Sequence, residues 1–150
     1  MFDSNAIFTP RSARSALRDV RPVAERIRRV YRSIERRRHG RGQPIQPDGP
    51  VERRYFALVA ELNRLLERLS GMGVLVQDFE HGLVDFPARR AGRPVFLCWQ
   101  VGEESLDYWH PASAVHPCMA GNAGRRPVDD DGPWEPGDEG VWLADSDALA

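Results

Sequence analysis

The sequence predicts an α+β domain: a long antiparallel helical hairpin packed on a small three- to four-stranded antiparallel β-meander. Two observations carry this reading. Between residues 10 and 72, apolar side chains recur three and four apart in two runs joined by a Gly- and Pro-rich linker. Between residues 74 and 110, four short apolar runs are separated by Gly-containing turns. A chain of 150 residues supports one such core and not two. The expected layout is a single domain over 7–127, with helix 10–38, linker 39–49, helix 50–71, meander 74–110 and loop 111–127. An acidic tail over 128–150, rich in Pro and Gly, is expected to be disordered.

Thr9-Pro10 marks the first helix start, a hydroxyl N-cap followed by Pro at the first helical position. Ala13, Leu17, Val20, Ala24, Ile27, Tyr31 and Ile34 then form an a/d seam. Pro22 lies inside it and is expected to kink the helix without ending it. The second helix opens near Gly49-Pro50, and its seam runs through Tyr55, Leu58, Leu62, Leu65, Leu69 and Met72. Gly71 or Gly73 supplies a left-handed C-cap. Two narrow seams bury little by themselves. The hairpin is therefore expected to pack both on the sheet and on a second copy, giving a homodimer with coiled-coil character.

The strand-like runs are Val74 to Asp78, Leu83 to Arg89, Pro94 to Val101 and Leu106 to His110. With Ala91-Gly92 at the first tip, Val84, Phe86 and Ala88 share a face with Val95, Leu97 and Trp99. With Glu103-Glu104 at the second tip, Leu106 and Tyr108 join that face, which should lie on the helices. The opposite face then carries Asp85, Arg89, Phe96, Cys98, Gln100, Asp107 and Trp109. It is half apolar and half chemical, so it needs a cover.

Composition excludes several function classes. No run reaches the roughly 18 apolar residues of a membrane span. The opening MFDSNAIFTPRSAR lacks the basic-then-apolar order of an export signal, so Cys98 and Cys118 are expected as reduced thiols in the cytoplasm. All 21 Lys-or-Arg positions are Arg, and no Walker loop, dinucleotide-binding glycine pattern or nucleophile elbow is present. A net charge of −1 hides an asymmetry: twelve arginines fall between Arg11 and Arg41, while eight acids and no Arg follow Pro127. Arg28 to Arg41 would make a phosphate-binding patch, but no nucleic-acid motif accompanies it. A solvated helix face is the expected reading, and nucleic acid is not expected as a partner. Trp134 and Trp142 amid acids would suit a protein partner or the chain's own Arg-rich helix.

Candidate chemistry centres on Gly82 to His110. His110, His116 and Cys118, with His81 and Asp85 in reserve, offer metal-ligand types without the tight paired spacings of a structural zinc site. Cys98, His110 and Asp85 would supply nucleophile, base and orienter, yet a mid-strand Cys more often packs as a small hydrophobe. Glu103 and Glu104 sit in a turn and are expected to be solvated. Arg89 and Arg125 would grip an anion while Trp109 and Phe96 stack on it, or else Asp85 would pair with Arg89 or Arg125 to hold a loop.

The ordered motifs Gly82 to Arg89, Leu97-Cys98-Trp99, Gly102-Glu103, Trp109-His110 and Ala120 to Pro127 resemble a bacterial family, domain-of-unknown-function family 2203. Phe8-Thr9 and Arg21-Pro22 are similar to its opening helix. The resemblance covers about residues 7 to 127. It implies a helical hairpin with a small sheet, and no established activity. This chain departs at Pro111 to Met119 and at Asn122, where the family has a short acidic link and an aromatic residue.

The expected function is a cytoplasmic, non-enzymatic interaction or assembly module dimerising through its hairpin, with no cofactor, no metal and no catalytic residue. The alternative is a small-ligand or metal-binding protein, which would include an enzyme, with a site at Asp85, Arg89, Cys98, Trp109, His110 and Arg125.

Overall fold

A computed structural model describes residues 7–39, 49–112 and 124–136. Helix α1 spans Pro10–His39 and α2 spans Pro50–Gly71. Five strands follow: β1 Leu75–Asp78, β2 Leu83–Arg90, β3 Arg93–Gln100, β4 Tyr108–Pro111 and β5 Arg126–Pro127. They form one antiparallel sheet in the order β1-β2-β3-β4-β5. The class is the expected α+β, with five strands in place of three to four. The extra strand is two residues long and contains a Pro, too short to leave a periodicity in the sequence.

The α1 cap is reciprocal. Ser12 N–H donates to Thr9 Oγ1 at 3.1 Å, and Thr9 N–H donates back to Ser12 Oγ at 2.8 Å. The helix continues through Pro22 for 30 residues. Gly73, at φ +79°, is the left-handed residue after α2, while Gly71 stays helical. The α1 seam from Ala13 to Ile27 joins Val84, Phe86, Leu97 and Trp99 in one core. Farther along, Val30 and Ile34 pack with Leu58 of α2. Phe8 continues along β2 beyond Leu75, where β1 begins, bridging to Ala88 and standing edge-on to Phe86 at 5.2 Å.

The first hairpin has the expected register, with Phe86 opposite Leu97 and Val84 opposite Trp99. Its tip is a primed turn with positive φ at both Ala91 (51°) and Gly92 (75°). Ala91 holds a conformation costly for a residue with a Cβ.

The second connection corrects the expected register. Leu97 faces Trp109 and Cys98 faces Tyr108, so Trp109 lies on the helix side and Tyr108 on the other. The seven residues between β3 and β4 are irregular, so two-residue alternation does not carry across them. Leu106 still enters the core, from the loop and not from a strand. Trp99 anchors that loop by donating its indole N–H to the Glu103 carbonyl at 2.9 Å.

The first residues of the acidic stretch are packed. Val128 N–H bonds to the Asp107 carbonyl, and Trp134 stands edge-on to Trp109 at 5.9 Å. Arg14 meets Asp130, so part of the basic helix is neutralised within the chain. Residues 137–150, including Trp142, lie outside the described residues.

Candidate metal centre

The β2–β3 register sets Asp85 directly opposite Cys98. His110, two residues beyond Tyr108 on β4, stands diagonally from Cys98 on the same face. All three are buried, with relative exposures of 1% for Asp85, 0% for Cys98 and 5% for His110. A carboxylate oxygen, Sγ and a ring nitrogen lie within 4.8 Å of one another.

His110 decides what these groups can do. Its Nδ1 lies 3.1 Å from the Pro111 carbonyl, and its Nε2 lies 3.4 Å from Asp85 Oδ1. A carbonyl only accepts, so Nδ1 carries a proton and donates it there. In the neutral ring Nε2 is then the lone-pair nitrogen, and it faces Asp85. A nucleophile–base–orienter relay needs thiol and carboxylate on opposite ring nitrogens. That is not the arrangement here.

Arg125 completes the cluster. Its side chain is 3% exposed. The Nε–H points at Cys98 Sγ across 3.2 Å, and one terminal nitrogen reaches both Glu103 carboxylate oxygens at 2.8 and 3.1 Å. Its guanidinium carbon lies 4.2 Å from the centre of the Tyr108 ring. Glu103 also accepts Gln100 N–H at 2.9 Å. Burial opposes the charge on Arg125, but Glu103 and the Cys98 sulfur outweigh it and raise its pKa above the usual guanidinium value. Burial likewise opposes charge on His110, and Asp85 chiefly reverses this, so the imidazole pKa is raised.

Of the residues singled out from sequence, Asp85, Cys98, His110 and Arg125 converge. Arg89 does not: it is exposed near the hairpin tip, 3.5 Å from Glu135. Trp109 sits on the opposite face, beneath Arg90 and Arg126. Asp85 faces His110, where an ion pair with Arg89 or Arg125 was the expectation. His81 lies elsewhere, against Asp78 at 2.6 Å. His116 and Cys118 fall outside the described residues. Sequence reasoning missed Glu103 and Tyr108, although the Gly-Glu motif was in view.

The profile of DUF2203, described as an uncharacterized conserved protein family, matches residues 6–128. The chain belongs to DUF2203. No curated protein and no solved structure matches it. Asp85, Cys98, Glu103, His110 and Arg125 all fall inside the DUF2203 match, whereas Trp134 and Glu135 fall beyond it. Among the described residues, no helix is long and apolar enough to cross a membrane.

Proposed function

We propose that this DUF2203 protein binds a zinc-type divalent metal ion through Asp85, Cys98 and His110. The carrying observation is the His110 orientation, with Nδ1 on the Pro111 carbonyl and Nε2 facing Asp85 at 3.4 Å. Metal-binding histidines commonly donate their other ring N–H to a backbone carbonyl, which fixes the tautomer and ring direction. The Nε2–Oδ1 spacing of 3.4 Å supports the same reading, within a cluster whose donor atoms lie up to 4.8 Å apart. Charge-assisted N–H···O bonds close to about 2.8 Å, whereas metal–ligand distances of roughly 2.1 Å give a tetrahedral edge of about 3.4 Å.

The donor set is one thiolate, one imidazole and one carboxylate, which suits a borderline ion such as zinc and not magnesium or calcium. Charge agrees. With His110 neutral, as a ligand must be, a Cys98 thiolate, Asp85 and Glu103 against Arg125 leave two negative charges in a covered site, which a divalent ion cancels. The Arg125 N–H on Cys98 Sγ favours the thiolate a metal needs. A Zn²⁺ titration against a competing chelator tests the reading. One equivalent should bind to the wild type, with binding lost in Cys98→Ser and Asp85→Asn. Wild-type protein that takes up no zinc would overturn it.

A second reading, self-association through α2, is supported by Phe56 and Val51, exposed at 52% and 38%. The seams themselves are largely spent inside the chain, on the sheet and between α1 and α2. Light scattering should report a dimer at micromolar concentration, and a monomer would end this reading.

A further inference from the structure

We propose that residues 124–136 form a releasable strap that gates the buried cluster, with Arg125 as its inner bolt and Trp134 as its outer latch. For what passes the gate, this rests on the metal-centre reading.

The strap touches both faces of the sheet. Arg125 covers Cys98 Sγ on one side, while Arg126 reaches over Trp109 on the other, 5.0 Å from the ring centre. Near them the backbone is held by two ladder pairs with β4, Tyr108 with Pro127 and Trp109 with Arg126, and by the Val128 N–H on the Asp107 carbonyl. So short a ladder opens readily by itself. The stronger hold lies farther on. Trp134 stands edge-on to Trp109, and the Arg90 guanidinium lies over both rings at 4.8 and 5.4 Å. Ala91 N–H bonds to the Pro133 carbonyl, and Glu135 N–H bonds to the Arg89 carbonyl, which clamps the strap to the strained hairpin tip. Arg90 pairs with Asp129, whose carbonyl accepts the Trp134 indole N–H at 2.7 Å.

A side chain as covered as Arg125 leaves Cys98 when its backbone lifts, and the latch opposes that lift. The latch lies about 130–136, past residue 128, where the DUF2203 match ends.

The experiment uses full-length protein carrying Cys118→Ser, with and without Trp134→Ala. Zinc release to excess chelator and reaction of metal-free Cys98 with a small aryl disulfide are timed in each. Both should quicken about tenfold in Trp134→Ala, while zinc affinity moves less than about threefold because entry and exit quicken together. Asp129→Asn, a surface change, should quicken both to a smaller degree and serves if Trp134→Ala does not fold. Folded variants with wild-type rates would overturn the strap. If the wild type binds no zinc, the metal reading fails, and the disulfide reaction alone decides the strap.

Discussion

His110 presents Nε2 to Asp85 across 3.4 Å and turns Nδ1 to the carbonyl of its neighbour, Pro111. The strand end therefore chooses which nitrogen faces the sheet. Replacing His110 with Gln keeps an amide that can bond to Pro111 but offers no imidazole lone pair. Zinc affinity should fall at least about 100-fold, beyond the 10–100-fold typical of outer-shell partners. Competitive chelator titration checks this, and a smaller loss would remove His110 from the ligand set.

In metal-free protein the same pair predicts a pH dependence. The folded pKa of His110 is raised, so protonated His110 contributes stability that is full below the unfolded value of about 6.5. That contribution is lost as pH rises through the higher folded value. Denaturant unfolding of wild type and His110→Gln should therefore show a stability gap that narrows on going alkaline. A gap independent of pH across that window would contradict the assignment.

Glu103 pins a guanidinium that is 3% exposed, and its backbone is pinned in turn by Trp99. Glu103→Ala leaves Arg125 without its carboxylate in a covered site and should cost about 3 kcal/mol. Glu103→Gln retains a hydrogen-bond acceptor and should cost less. Urea denaturation orders the two, and equal losses would mean that the loop backbone carries the effect.

Ala91 sits at φ 51° in the hairpin tip. Ala91→Gly relieves that strain at some cost in unfolded-chain entropy and should stabilise the protein by up to about 1 kcal/mol. A lowered thermal midpoint would show that the Ala91 side chain earns more by contact than its backbone loses.

Much of this was legible in the sequence, for identifiable reasons. The α1 seam, its Thr9 cap and the β2–β3 register follow from strong periodicity and a short turn, and that register alone sets Asp85 against Cys98. The exchange of Tyr108 with Trp109 was not legible, because the irregular residues after Gln100 reset the alternation. Glu103 looked solvated because a turn residue separated from Arg125 by β4 and by 22 positions in sequence gives no sign of meeting it. Arg125 stood out within the Ala120 to Pro127 motif, but its contact with Cys98 depends on β5, too short to predict. The His110 ring direction is set by one carbonyl distance, which no residue pattern encodes.

X-ray absorption at the zinc edge of loaded protein tests the metal centre most directly. One sulfur at about 2.3 Å with nitrogen and oxygen donors at about 2.0 Å is the expected shell, and the sulfur should vanish in Cys98→Ser. A zinc shell of nitrogen and oxygen alone in the wild type would contradict the account.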